Sequence, residues 1–118
     1  METRGTLLYT YGVDAGRISK ETMCRVLSEN PAKLYGMYPK KGAIAPGSDA
    51  DLVIMRTGVS DVITAKDQLQ NVDYAPFEGK KVTARVEQVF LRGTQVVKDG
   101  QVVVSNGGQF VRRGKYCL

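Results

Sequence analysis

The chain has 118 residues, of which 25% are charged, and a formal net charge of +5; this length suffices for one domain with a modest core. It contains no histidine and only two cysteines. Histidine is the commonest metal ligand and the commonest general base near neutral pH. This composition therefore excludes a catalytic triad or dyad built on imidazole, and two isolated cysteines do not supply a zinc site.

The apolar runs are all far shorter than the ~20 residues that cross a bilayer. The opening METRGTLLYTYG lacks an apolar core followed by a small-residue cleavage site, so it does not have the pattern of a signal peptide. We therefore expect a cytoplasmic protein without membrane contact, in which Cys24 and Cys117 are reduced thiols.

The first 40 residues predict an irregular start followed by two helices. Up to about residue 18, three glycines predict loop and short extended pieces: Gly5, Gly12 and Gly16. Ser19 then offers an N-cap, and a stripe at helical spacing follows: Met23, Val26 and Leu27, with Cys24 packed beside it. The pair Asn30–Pro31 predicts a second helix start, from Pro31 to about Met37, which PKKG at 39–42 ends.

After Gly42 the pattern changes to strands. LVIM at 52–55 predicts a strand, 59–64 a weaker one, and 66–79 an irregular stretch. The run VTARVEQVFLRGTQVVKDGQVVV at 82–104 predicts a three-stranded meander with turns at RGT and DG. Its alternation slips near Glu87, which indicates either a β-bulge or a change in the buried face. Helices followed by strands predict an α+β unit, or pieces of two domains.

Few side chains suggest chemistry. Asp49 and Asp51 could bind a cation as a pair, but a turn that bonds its own backbone through Ser48 and Asp49 is the favoured interpretation. Lys33 lies on a short helix without the neighbours that would depress its pKa for Schiff-base chemistry. The basic last third of the chain, residues 80–118, indicates a polyanion partner or, more simply, either a solvated face or a patch that pairs with acidic residues on a missing part of the protein.

Four stretches resemble a known family. ENPAKLYGMYPKKGAIAPGSDADLVIM at 29–55 resembles the C-terminal hallmark of the cyclic amidohydrolases, and NVDYAPFEGKKV at 71–82 resembles their dihydropyrimidinase, D-hydantoinase and collapsin-response-mediator branch. VFLRGTQVVKDGQVV resembles that branch's closing hairpins, and GGQFVRRG at 107–114 its terminal pattern. The resemblance extends over nearly the whole chain.

This resemblance implies a piece of a longer protein built on a (β/α)₈ barrel and a composite β-sandwich, with no complete barrel here. Residues 1–40 would be the terminal barrel segment with two helices, 41–104 the sandwich strands and meander, and 105–118 a tail that contacts other subunits. The family's two zinc ions are bound by residues upstream of this segment. The resemblance thus assigns no catalytic, metal or substrate-binding residue and no cofactor to this chain.

Two groups of residues take other roles from the resemblance. Those expected to be structural in the family motifs are Asn30, Pro31, Gly42, Asp49, Asp51, Asn71, Asp73, Tyr74, Pro76, Phe77, Glu78, Gly79 and Gly100. Those expected at an interface between subunits are Phe110, Arg112 and Arg113.

Three functions follow as hypotheses. The first is the structural and oligomerising C-terminal portion of a cyclic-amide hydrolase, inert alone, whose partner is a second copy or the missing N-terminal part. The second is a non-catalytic interaction module of the collapsin-response-mediator type. The third, less favoured, is a small basic nucleic-acid binder, which salt-dependent binding would reveal.

Overall fold

The computed structural model describes residues 2–117, which form two helical segments followed by an antiparallel sheet. The sheet has four strands in the order β1-β2-β3-β4: β1 Leu52–Val62, β2 Lys81–Leu91, β3 Thr94–Lys98 and β4 Gln101–Val102. A helical part therefore precedes a β part, as predicted, and no closed barrel forms within the described residues. None of the helices in this range is long and apolar enough to cross a membrane.

The first helical segment corrects the loop predicted for the start of the chain. It consists of an α-helix, α1 (Arg4–Leu8), and a π-helical continuation, Tyr9–Asp14. Packing against β2 overrides the weak local propensity of its glycines: the Thr83 amide donates to the Thr10 hydroxyl at 3.0 Å. Gly12 is buried, and an added Cβ would lie 3.1 Å from the Ile18 side chain. This glycine therefore permits close packing and does not interrupt the helix.

The second helical segment is continuous where two helices were predicted. It comprises α2 (Lys20–Cys24), a π-helical stretch (Arg25–Glu29) and α3 (Asn30–Leu34). The Ser19 N-cap is confirmed, since its hydroxyl accepts from the Thr22 amide at 3.1 Å. The predicted helix start at Asn30–Pro31 is confirmed, since α3 begins at Asn30 with Pro31 in its first turn. No break separates α3 from the π stretch, because this wider stretch accommodates the bond that proline cannot donate.

The second segment ends three residues earlier than predicted. Gly36 adopts a φ of +67°, the left-handed conformation that commonly closes a helix. The Gly36 amide donates to the Lys33 carbonyl at 3.2 Å, and the Met37 amide to the Ala32 carbonyl at 2.8 Å. This pair of bonds is a Schellman motif, so Tyr35 and its successors leave the helical path.

The sheet confirms the meander and the bulge. Ile54 pairs with Gln88 and Met55 with Val86, so Glu87 has no residue opposite it on β1. The two strands predicted at 52–55 and 59–64 are instead one strand, β1. Its register with β2 is irregular around Gly58, whose φ is +72°, and this glycine accounts for the break expected from the sequence.

The buried core is small. The apolar residues with less than a tenth of their surface exposed are Met23, Ala32, Ile63, Ala75, Val82 and Ala84. Three of these residues, Ile63, Ala75 and Val82, form one cluster, against which Leu7 packs from α1. Large apolar side chains elsewhere are exposed, Val26 by 50% and Phe110 by 91%. The core thus joins α1, the end of β1, the 71–79 loop and the start of β2.

Candidate functional site

A cluster of four charged side chains lies where the helical part meets the sheet. Lys40 Nζ lies 2.9 Å from Asp49 Oδ1, and Lys41 Nζ lies 2.9 Å from Asp49 Oδ2. Lys41 also forms an ion pair with Asp51. We call Lys40, Lys41, Asp49 and Asp51 the junction cluster. It connects the corner after α3 to the residues that lead into β1.

Backbone bonds fix the same junction. The Asp49 amide donates to the Lys40 carbonyl at 2.8 Å, and the Ser48 hydroxyl donates to the Pro39 carbonyl at 2.7 Å. Asp51 Oδ1 accepts from the Arg92 amide at 2.8 Å, which adds the β2–β3 turn. The predicted turn is present, since the Ser48 amide donates to the Ala45 carbonyl at 3.0 Å and the Asp51 amide to the Asp49 carbonyl at 2.8 Å, but the side chains of Ser48 and Asp49 do not bond the backbone of that turn. Their side chains bond a neighbouring segment, because two lysines stand within reach.

The charges in the cluster stabilise one another. The ammonium groups of Lys40 and Lys41 hold the pKa of Asp49 below its usual value. Burial alone would raise the pKa of Asp51, but the bonds from Lys41 and the Arg92 amide outweigh it, so this pKa is also lowered. Burial opposes the charge of Lys41, yet its two carboxylate partners raise its pKa. Asp49, Asp51 and Lys41 are therefore charged at neutral pH.

The Asp49 Oδ2 atom is buried and lacks a directed hydrogen bond within residues 2–117. It nevertheless lies 2.9 Å from Lys41 Nζ. Both observations hold if the contact is electrostatic but poorly aligned, since the strength of a hydrogen bond falls steeply with its angle. The ammonium group at this distance leaves no reason to assign a cation to the same oxygen.

The donor set does not fit the zinc ions that the family resemblance implies. Histidine is absent from the sequence, and within residues 2–117 no group of three or more acidic or cysteine side chains could hold a metal. Cys24 and Cys117 are both exposed, so the prediction that Cys24 is packed is wrong. The carboxylates of the junction cluster are occupied by lysines. The described residues therefore do not provide the ligands for such a zinc site.

Lys33 has the opposite character from a nucleophilic lysine. Its ammonium group lies 2.6 Å from Glu29 Oε1 and 5.0 Å from the centre of the Tyr38 ring. The hydrogen bond to Glu29 raises the pKa of Lys33. A Schiff-base lysine requires a lowered pKa, so Lys33 is a structural cation near the end of α3.

Gly42 is the motif residue with the clearest structural requirement. Its φ is +79°, and an added Cβ would lie 2.6 Å from the Ala32 Cβ and 2.8 Å from the Ser28 carbonyl oxygen. Only glycine allows the corner to approach the second helical segment this closely. Of its motif neighbours, Asn30 is exposed and Pro31 follows the π stretch.

In the 71–79 motif, the residues that hold the loop are its last ones. Glu78 Oε2 accepts from the Ala65 amide at 2.7 Å, and the Gly79 amide donates to the Ile63 carbonyl at 2.9 Å. Ala75 is the buried anchor. Five predicted motif residues are exposed: Asn71, Asp73, Tyr74, Pro76 and Phe77.

Gly100 and the tail complete the predicted set. Gly100 has a φ of +75°, and its amide donates to the Glu87 carbonyl at 3.1 Å, which ties the β3–β4 turn to the bulge. The candidate interface residues are all exposed: Phe110, Arg112 and Arg113. The structure does not bring them together with the junction cluster.

Sequence reasoning missed Thr10, and it predicted the turn that contains Arg92 but not the bond from that turn to Asp51. Thr10 is buried; its hydroxyl donates to the Thr6 carbonyl at 2.9 Å and accepts from the Thr83 amide. Arg92 has a φ of +47° and bonds Asp51 through its backbone. An RG pair between two β-branched runs was a usable signal for a turn with positive φ, whereas nothing near Thr10 indicated burial.

An apolar groove lies beside the helical segments and contains no polar cluster. It has a volume of about 530 Å³ and is lined by both helical segments and by the end of the 71–79 loop: Leu7, Leu8, Tyr11, Val26, Leu27 and Phe77, with Thr3, Arg4 and Lys80 at its polar edge. These side chains offer shape and apolar surface but no acid, base or nucleophile in a catalytic arrangement.

Comparison with known proteins gives consistent results. The sequence model of the amidohydrolase family matches residues 1–96. The D-hydantoinase of Geobacillus stearothermophilus is 47% identical over 117 residues, an alignment that covers 98% of this chain and 25% of the relative. The chain therefore spans about a quarter of the length of the curated relatives it matches.

Solved structures show the same fold. A D-hydantoinase from Bacillus sp. AR9 superposes with a TM-score of 0.93 at 44% identity, and covers 98% of this chain with 26% of its own. A dihydropyrimidinase from Brevibacillus agri NCHU1002 gives 0.94 at 41% identity, over 98% and 25% of the two chains. The helical part and the sheet thus have the same mutual arrangement inside these longer proteins.

Proposed function

We infer the function from one established fact: this chain belongs to the amidohydrolase family. We propose that it is the C-terminal structural and oligomerising portion of a hydrolase of cyclic amides, such as dihydropyrimidines or hydantoins. Under this proposal the helical segments are the last helices of the barrel, and the strands belong to the composite β-sandwich. The portion is catalytically inert by itself.

The proposal rests on how much of each protein the alignments include: nearly the whole of this chain, but only part of each relative. Similarity to the Geobacillus D-hydantoinase includes 98% of the chain but only 25% of that enzyme. The enzymes with this fold are named for hydantoins and dihydropyrimidines. A segment this similar must meet the same packing demands, so we assign it the same place in a longer protein.

The chemistry of the described residues supports inertness. The junction cluster is internally neutralised, since Asp49 and Asp51 each contact a lysine. Lys33 has a raised pKa. Opening a cyclic amide requires activated water and stabilisation of a developing oxyanion. Neither the paired charges of the junction cluster nor Lys33 with its raised pKa is suited to either task.

We predict that the purified chain hydrolyses neither dihydrouracil nor hydantoin and retains no stoichiometric zinc. The reason is the donor set: without histidine the chain cannot build the imidazole sites on which such zinc chemistry relies. Ring-opening assays with added zinc, and metal analysis after exhaustive dialysis, measure both. Turnover above the blank, or one tightly held zinc per chain, would contradict the proposal.

A chimera provides the positive test. The 117 aligned residues of the Geobacillus D-hydantoinase are replaced by those of this chain, and hydantoin hydrolysis is measured. We expect a folded enzyme with activity within about tenfold of the parent, a loss of less than ~1.4 kcal/mol in transition-state stabilisation. The same chimera carrying Gly42→Ala serves as the packing control and should lose folded yield. A well-folded chimera without activity would overturn the structural role.

A further inference from the structure

The last part of the chain is bound to the rest of the molecule at two separate places. Residues 107–117, which we call the terminal strap, contain no helix or strand. At its beginning, the Arg92 side chain donates to the Gly107 carbonyl. Arg92 belongs to the β2–β3 turn and is itself fixed by the bond from its amide to Asp51. The strap therefore leaves the sheet from a rigid point.

The second anchor is the end of the second helical segment. The Gly114 amide donates to the Gly36 carbonyl at 2.7 Å, and the Cys117 amide donates to the Lys33 carbonyl at 3.0 Å. The last carbonyls of a helix have no partners within the helix, and the Lys33 carbonyl here accepts from the Cys117 amide in addition to the Gly36 amide. The approach is so close that a Cβ at Gly36 would lie 2.2 Å from the Gly114 carbonyl oxygen.

We propose that the terminal strap is an intramolecular tie that closes within one chain and fastens the sheet to the end of α3. Its middle, residues 108–113, spans the gap between the anchors and carries exposed Phe110, Arg112 and Arg113. These residues are thus presented by a loop fixed at both ends. This arrangement is independent of the proposed self-association, because the anchors use only residues of one chain.

Two other arrangements of the terminal strap predict different experimental results. In the first, the strap of one copy binds the α3 end of a second copy, which is exchange of an identical element between protomers. In the second, the strap is not bound in solution. Amide protection at the anchors separates bound from unbound, and a disulfide placed at the second anchor separates closure within one chain from exchange.

The first measurement is amide hydrogen exchange on the full chain, resolved by residue. The amides of Gly114 and Cys117 donate to carbonyls, so we expect each to exchange at least tenfold more slowly than the amide of Gly108 after correction for intrinsic rates. Gly108 is the internal control, because it is exposed and has no atom near its Cβ direction. Equal rates at the three positions would overturn the proposal.

The second measurement uses Cys117 itself. In a Cys24→Ser, Lys33→Cys chain, mild oxidation should join positions 33 and 117 within one molecule, seen as a mass loss of two hydrogens without a covalent dimer. A Cys24→Ser, Lys20→Cys chain is the matched control, since residue 20 lies about 13 residues, or ~20 Å, earlier along the helical path. It should form no intrachain bond.

The outcomes decide the topology. Protected anchor amides with the intrachain disulfide support the tie. Protected amides with a covalent dimer through positions 33 and 117 overturn it in favour of exchange. Sedimentation of the unmodified chain reports self-association separately. A monomer that forms the intrachain bond would therefore refute the oligomerising role and leave the tie intact.

Discussion

The junction between helices and sheet differs from the helical surface in whether its side chains find partners within the chain. At the junction cluster, every charge has a partner: Asp49 and Asp51 contact lysines, and the backbone of Arg92 completes the set. On the helical surface, Val26 and Leu34 each expose about half of their area. The charges of the junction cluster are thus paired within the chain, while much of the apolar surface of the chain remains uncovered.

The contrast has a physical explanation. Short-range polar bonds can be completed by residues nearby in sequence, such as the corner at 39–42 and the turn at 47–51. Apolar burial needs extended complementary surface, and a chain of this length buries a limited share of its own. Contiguous exposed apolar surface marks an interaction site. The apolar groove and the sheet edges are therefore the surfaces where further protein is expected.

The largest expected effect is on mass in solution. Strand β1 has eleven residues and lies at the edge of the sheet, and such an edge can pair with another copy. Covering each large apolar side chain contributes ~1.5–3 kcal/mol, while repulsion from the net charge is screened within ~8 Å at physiological salt. We predict a dimer or a larger closed assembly by sedimentation equilibrium at micromolar concentration.

A control sharpens that prediction. Val53 and Ile54 are the exposed apolar residues near the start of the β1 edge, and Val53→Lys places a charge there. If the edge drives association, this variant should dissociate at concentrations at least tenfold higher than the unmodified chain does. The matched Val103→Lys change lies beyond β4 and should have less effect. A folded monomer of the unmodified chain would contradict the argument.

The next effect is on local opening. Strand β2 is bonded on both sides, to β1 and to β3, whereas the second helical segment buries only Met23 and Ala32. We predict that amides of β2 exchange the slowest in the chain and that those of Lys20–Cys24 exchange at least tenfold faster. Slower exchange in the helix than in β2 would show that the helical surface is covered. The contrast between the junction and the helical surface would then not hold.

Much of this fold was predictable because its signals are local. The Ser19 cap, the meander turns and the bulge at Glu87 follow from short-range chemistry. The helix at 4–14 was not predictable from the sequence, because its glycines indicated a loop. Its helical structure depends on the contact between Thr10 and β2. The aspartate pair was recognised, but its partners were not. Lys40 and Lys41 reach Asp49 only after the chain turns between them, and sequence spacing does not show that turn.

A third prediction concerns the close approach at the junction. Gly42→Ala should lower the free energy of unfolding by about 3 kcal/mol, because it combines a positive-φ strain of ~1–3 kcal/mol with overpacking against Ala32. Gly47→Ala is the matched control, since its φ is +89° but nothing lies near its added Cβ. Urea unfolding measures both. Equal shifts for the two variants would show that the helix contact contributes nothing.

The smallest expected effect is on acid stability. The folded-state pKa values of Asp49 and Asp51 lie below their ordinary values, Asp49 because of Lys40 and Lys41 and Asp51 because the bonds from Lys41 and Arg92 outweigh burial. The stabilisation is therefore present above the unfolded value of ~3.9 and is lost as the pH falls through the folded values. Lys41 has a raised pKa, so its contribution is lost only on the alkaline side.

The Asp49→Asn, Asp51→Asn variant removes the pH-dependent stabilisation that these two carboxylates contribute. Asp73→Asn is the exposed control outside the cluster. We expect the urea midpoint of the unmodified chain to fall more than that of the double variant between pH 5 and about pH 2. Water screens these partly exposed pairs, so the difference should be under half of the shift that Gly42→Ala gives at neutral pH. Parallel pH profiles for the two chains would mean that hydrogen-bond geometry, independent of charge, holds the junction.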